Sequence, residues 1–250
     1  VIILGFFNET LDKNALISIP RDTIVTNLCT GEVERINASF KQNNCGNSAE
    51  NIVAAVNNLT GLKIEHIASF DFEGFEKIID SFNGIEICVD ETQREGYSFE
   101  LQKGCQKVNG STALNWTRSR NTEILIGQKI VDEDGNDKSE WKKMEFVSDL
   151  SRVERQQYLV VQLLNELETF SSFGELLQFI QALEETFVVD EGLSINKATN
   201  ILWGLRTIDV NNISKLTVPT TPYQLDDGRQ VLILNGNFYD FAKENLLIEE

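Results

Sequence analysis

His66 to Asp90 reads HIASFDFEGFEKIIDSFNGIEICVD. "HIASFD" is strand-like, and "IEICVD" alternates apolar and polar residues as a half-buried strand does. Between them "FEGFEKIIDSFNG" spaces its apolar residues as a short amphipathic helix, which Gly84 stops. Strand, helix and strand in this order predict a right-handed crossover within one sheet, and so an α/β chain.

The flanking sequence extends this pattern. Val1 to Phe6 and Ala15 to Ile19 read as strands joined by the polar turn "NETLDKN", with Pro20 ending the second. "SAENIVAAVNNL", from Ser48 to Leu59, begins on a capping serine, shows helical spacing and stops at Gly61. "NGSTALNWTRSR" turns into a helix that carries its arginines at one end. Helices are expected at Ser151 to Thr169, Phe173 to Glu184 and Ser194 to Leu205, then strands in "SKLTVPT" and "RQVLILN" and a short helix near Asn237 to Glu244. Residues 121–147 are charged, contain glycine and lack clear periodicity, the pattern of a surface insertion or flexible loop. No repeat or proline-rich linker divides the sequence, so residues 1–250 are expected to form one domain, a mixed sheet flanked by helices.

The 250 residues are 41% hydrophobic, enough for a sizeable core. Acidic residues outnumber basic ones 39 to 22, for a net charge of -17. Such a surface disfavours nonspecific binding to nucleic acid or an anionic membrane, and any bound anion must meet a local basic cluster. The apolar run at Val1 to Leu4 is far short of the roughly 20 residues of a membrane span. The sequence opens inside a strand, so the natural protein is expected to continue upstream.

Cys29, Cys45, Cys88 and Cys105 fit no zinc spacing. Two disulfides are the favoured reading, against four unrelated thiols. Pairing Cys29 with Cys45 and Cys88 with Cys105 closes two short loops, the second across an apparent hairpin, and places the domain outside the reducing cytosol. His66, the only histidine, lies at a strand entrance far in sequence from the arginine phrases, and is read as structural rather than as a base.

Five of the nine arginines fall in three phrases: "SIPRD" with Arg21, "TRSR" with Arg118 and Arg120, and "SRVERQQ" with Arg152 and Arg155. The third reads as a capping box, Ser151 as N-cap and Glu154 three residues on. On a helical projection Val153, Val160, Leu163, Leu164 and Leu167 share one face, Gln156 falls inside that arc, Arg152 lies at its edge and Arg155 points away. A cation in the first turn opposes the helix dipole, a conflict that a bound anion resolves. Guanidinium groups, able to make paired hydrogen bonds to phosphate oxygens, suit that ligand. Salt bridges within an acid-rich chain are the alternative for any one arginine.

"LISIPRDT", "RINASF", "LTGLKIEHIASFDFEGFEKIIDSFNGIEICVD", "LQKGCQKVNGSTALNWTRSR" and "DLSRVERQQ", in this order, resemble the LytR-CpsA-Psr family, and the four cysteines resemble its actinobacterial members. The resemblance implies an αβα fold with an apolar groove for a lipid tail, which Phe70, Phe72, Phe75, Ile78, Ile79 and Phe82 are candidates to line. It implies a phosphotransferase that moves a glycopolymer from a polyprenyl diphosphate carrier to peptidoglycan or a surface protein, outside the cytoplasmic membrane and anchored to it. Arg21, Arg118, Arg120, Arg152 and Gln156 would form the pyrophosphate pocket, with Arg35, Asp22, Asp149 and Arg155 as further substrate-binding positions. Mg²⁺ is implied as cofactor, held by acidic residues that family members carry upstream of the strand beginning at Val1. A lipid-binding protein without chemistry and a lipid pyrophosphatase are the alternatives.

Overall fold

The computed structural model describes residues 2–7, 13–40, 48–144 and 149–246. In chain order the elements are β1 (Ile2–Phe7), β2 (Asn14–Ile19), β3 (Ile24–Thr26), β4 (Val33–Arg35), α1 (Ser48–Thr60), β5 (Ala68–Ser69), α2 (Phe72–Ser81), β6 (Ile85–Val89), β7 (Gln93–Glu95), β8 (Phe99–Leu101), β9 (Gly104–Val108) and α3 (Gly110–Arg118). There follow β10 (Glu123–Ile126), β11 (Glu140–Lys143), α4 (Asp149–Glu166), α5 (Phe173–Ala182), β12 (Val188–Val189), α6 (Ile195–Leu205), β13 (Ile213–Thr217), β14 (Thr220–Gln224), β15 (Gln230–Leu234) and α7 (Phe238–Leu246). No helix among the described residues is long and apolar enough to cross a membrane. The chain is α/β, as expected, and divides into two compact units, Phe70–Glu166 and the remainder, Val1–Ser69 with Leu167–Glu250.

The discontinuous unit is built on β2, every residue of which is buried. β1 pairs with it antiparallel, Leu4 opposite Ile17, and β13 pairs parallel on its other edge, Ile213 opposite Asn14, giving the expected mixed sheet. Leu4, Ile17 and Ile19 pack with Ile52 and Val56 of α1 and Phe238 and Ala242 of α7. Gly61, at φ +70°, takes the left-handed conformation that ends α1, and its amide donates to the Asn57 carbonyl at 2.8 Å. After Pro20 the chain turns, Thr23 N–H donating to the Pro20 carbonyl at 3.0 Å, and enters the β3–β4 hairpin.

In the Phe70–Glu166 unit, Asp71 caps α2 by accepting from Gly74 N–H at 2.8 Å. Asn83 (φ +57°) and Gly84 (φ +97°) then reverse the chain into β6. β6 pairs with β9 antiparallel with Cys88 opposite Cys105, and these two cysteines form a disulfide. Cys29 is also disulfide-bonded, while its expected partner Cys45 lies outside the described residues. Ile79, Ile85, Ile87, Leu101, Trp116 and Leu159 form the core here.

Three local expectations are corrected. β5 pairs with β12 and β6 with β9, so the strands around α2 do not share a sheet and form no crossover unit. The "HIASFD" strand shrinks to Ala68–Ser69. Residues 121–147, expected as an insertion or loop, carry β10 and β11 among the described residues, which extend β7 and β8 into a four-stranded sheet of order β11-β10-β7-β8.

Candidate functional site

Arg21 and Asp22 occupy the turn that Pro20 imposes after buried β2. Arg21 Nε lies 3.4 Å from one oxygen of Asp22, and Arg35 Nη1, from the end of β4, lies 3.3 Å from the other. Arg35 also donates from Nε and Nη2 to the Gln230 carbonyl at 3.0 and 2.6 Å. Leu232 N–H donates to the Asp22 carbonyl at 2.9 Å, so β15 fixes this turn from the other side. The "SIPRD" phrase and Arg35 are therefore brought together, with Asp22 orienting two guanidiniums. The side chains of Arg21 and Arg35 keep 49% and 38% exposure, open to a further anion.

In the Phe70–Glu166 unit, α3 carries the "TRSR" phrase. Asn109 caps the helix by accepting from Thr112 N–H at 2.9 Å. Gly110 permits a close approach to α2, because an added Cβ would stand 2.4 Å from the Glu76 carbonyl oxygen, and its amide donates to Asp80 Oδ1 at 2.7 Å. Thus anchored, α3 ends in exposed Arg118, buried Ser119 and exposed Arg120. The Arg118 guanidinium stacks over the Phe72 ring at 3.9 Å from its centroid. Neither Arg118 nor Arg120 forms an ion pair with a described residue.

The "SRVERQQ" phrase departs from its expected geometry. α4 begins at Asp149, so Ser151 is its third residue rather than its N-cap, and Arg152 remains in the first turn. The side chain of Asp149 lies outside the described residues. Arg152 and Gln156 are half-buried, whereas Arg155, expected to point away, is 8% exposed and Gln157 is 3% exposed. Arg155 Nη1 donates to the Trp116 carbonyl at 2.8 Å and to Thr122 Oγ1 at 3.1 Å, and Nη2 meets the same hydroxyl at 3.1 Å. Burial pushes its guanidinium down to about 10, still cationic at neutral pH. The second and third arginine phrases are thus joined through Arg155.

Other expected positions divide between core and surface. Ile78 and Ile79 are core, Phe75 and Phe82 are half-buried, and Phe70 and Phe72 are exposed. His66 lies in the discontinuous unit with Nδ1 3.2 Å from Asp190, which also accepts from Ile67 and Gly192 N–H at 3.0 Å each. Burial alone would raise the Asp190 carboxyl; hydrogen bonds from Ile67, His66 and Gly192, with the His66 charge, reverse this and hold it below its ordinary value. A cavity of about 400 Å³ beside this pair is lined by Val53, Ile64 and Ile67 and by none of the arginines. Among the described residues the grouping with metal-ligand spacing is Glu86 with Cys88 and Cys105. Those cysteines are joined in a disulfide, and a sulfur so bonded is not a thiolate ligand, so this grouping is not a divalent-cation centre.

The LytR_cpsA_psr family model matches residues 1–127. Cell wall biosynthesis protein LcpA of Corynebacterium glutamicum is 26% identical over 194 residues, covering 75% of this chain and 33% of that protein. Bacillus licheniformis TagU, named a polyisoprenyl-teichoic acid–peptidoglycan teichoic acid transferase, is 25% identical over 245 residues, covering 96% of this chain and 66% of its own. The chain thus spans less than two thirds of the length of these relatives. The crystal structure of Bacillus subtilis TagV superposes with a TM-score of 0.73 at 19% identity, covering 99% of this chain and 89% of that one. The matched span contains the arginine turn, the disulfide hairpin and the "TRSR" helix end: this chain belongs to the LytR-CpsA-Psr family.

Proposed function

We propose that the chain is the catalytic part of a phosphotransferase that moves a glycopolymer from a polyprenyl diphosphate carrier to a cell-wall acceptor, on the outer side of the bacterial membrane to which the whole protein is anchored. The observation that carries this reading is the pair Arg118 and Arg120, exposed and free of ion pairs with described residues in a chain of net charge -17. In such a chain, two guanidiniums without a carboxylate partner among the described residues suit an incoming diphosphate. Arg152 and Gln156, one turn apart on α4, are further diphosphate contacts in this reading. Arg21 and Arg35, oriented by Asp22, form a second anion-binding set. Membership of the family and the transferase names of relatives such as TagU support the reaction class.

In the reaction the acceptor hydroxyl attacks the phosphorus nearest the glycan, the new P–O bond forms, and the lipid monophosphate leaves. The guanidiniums stabilise charge that grows on the phosphoryl and leaving oxygens, an electrostatic role that needs no Ser-His-Asp or Cys-His pair. No step is assigned to Mg²⁺, because its ligands are expected upstream of Val1.

The test is transfer of a lipid-diphosphate-linked glycan to peptidoglycan by purified protein. Arg118→Ala is expected to lower turnover about 100-fold, the scale of losing one charge-stabilising donor. Unchanged transfer in that variant would sink the site assignment. Phosphate products without acceptor would identify a pyrophosphatase, and binding without turnover a lipid-binding protein.

A further inference from the structure

Arg155 is a buried cation that forms no ion pair with any described residue. Its two Nη groups meet neutral partners, the Trp116 carbonyl, the Thr122 hydroxyl and the Met144 sulfur at 3.9 Å, and the guanidinium carbon lies 5.1 Å from the Trp116 ring centroid. Glu95, the carboxylate whose field it feels, accepts instead from Asn121 N–H at 3.1 Å. Burying a charge without a paired carboxylate is costly, and its retention asks for a role.

The partners supply one. The Trp116 carbonyl lies in the last turn of α3, where Ser119 N–H reaches it at 3.4 Å and its second lone pair is left for another donor. Thr122 is fully buried and receives both Nη groups of Arg155, so its own proton turns to Ser119 Oγ at 2.7 Å. One planar fork therefore grips the stretch Trp116 to Thr122 at both ends, with Arg118 and Arg120 between them. We propose that Arg155 is a positioning residue whose guanidinium clamps this stretch to α4, so that Arg118 and Arg120 are presented as a fixed pair to a diphosphate. Naming the diphosphate rests on the proposed function; the clamp rests on the contacts alone. A lysine offers a single ammonium and reaches one anchor at a time, so it is expected to restore the clamp in part.

The experiment compares wild type, Arg155→Met and Arg155→Lys for thermal midpoint, amide hydrogen exchange at residues 117–122, and affinity for geranylgeranyl diphosphate. In folded Arg155→Met, exchange in that stretch is expected to rise and diphosphate affinity to fall, each about tenfold, as loss of hydrogen bonds from a charged donor implies. Arg155→Lys is expected to lie between, and Arg120→Ala to cost much less in the Arg155→Met background than in wild type, because residues acting as a unit are not additive. If Arg155→Met does not fold, Arg155→Lys carries the comparison. Wild-type exchange and affinity in a folded variant overturn the clamp, as does full additivity with Arg120→Ala. Failure of wild type to bind the probe overturns the diphosphate reading, and exchange then decides the clamp alone.

Discussion

Asp137 sits between the strands of the β10–β11 hairpin under several donors. The Ser139 side chain and N–H, the Trp141 Nε1 at 2.9 Å and the charge of Arg94 hold its carboxyl down to about 2. A carboxyl lowered in the folded state contributes stability that is complete above the unfolded value near 3.9 and is lost as pH falls through about 2. Titration of the Asp137 carboxyl carbon by NMR is expected to show a midpoint near 2; a midpoint at or above 3.8 would contradict the hydrogen bonds described. At the residue scale the sequence is a mixed guide. Arg21, Arg118 and Arg120 stand out from composition and phrase alone, and Arg35 comes from the family resemblance. A helical projection misplaces Arg155 because it assumes one buried arc. Val153, Gln157 and Leu164 occupy that arc, but Arg155 and Leu159 are buried on nearly the opposite face, so α4 is enclosed on two sides.

Among the elements, α2 and the β6–β9 hairpin follow closely from local signals: a capping aspartate, helical spacing, an Asn-Gly reversal and strand alternation. Asp71→Ala removes the acceptor for Gly74 N–H and is expected to cost about 1 kcal/mol in urea unfolding. A change within a few tenths of wild type would show that the cap is dispensable. The four-stranded sheet is not legible in the sequence. Its strands are short, and polar contacts join β7, β10 and β11: Arg94 pairs with Glu123 at 3.0 Å and covers the Trp141 ring at 3.8 Å. Ion pairs and a cation–π contact hold strands together without leaving the apolar alternation from which strands are read. The expected crossover fails because local pattern marks a strand but not its partner.

Across the whole molecule, charge is the property that composition makes plainest. A net charge of -17 repels itself, and raising ionic strength from ~0.01 M to ~0.15 M shortens the screening length from ~30 Å to ~8 Å. The thermal midpoint is therefore expected to rise over this range by calorimetry, while affinity for a diphosphate probe falls. A falling midpoint would mean that exposed pairs such as Lys77–Glu73 outweigh the net repulsion. The family resemblance and the α/β class are whole-chain properties, readable from the order of phrases. The parallel pairing of β13 with β2 is not, since no local motif specifies a neighbour so distant in sequence.

That pairing bears on how the chain is made. During synthesis β2 emerges before β13, with β1 for one edge, and its other edge waits while the continuous Phe70–Glu166 unit is produced. A buried-type strand with an open edge is a template for wrong association. The nascent chain therefore carries this open edge until β13 follows, and the inserted unit is complete before the sheet that brackets it in sequence can close.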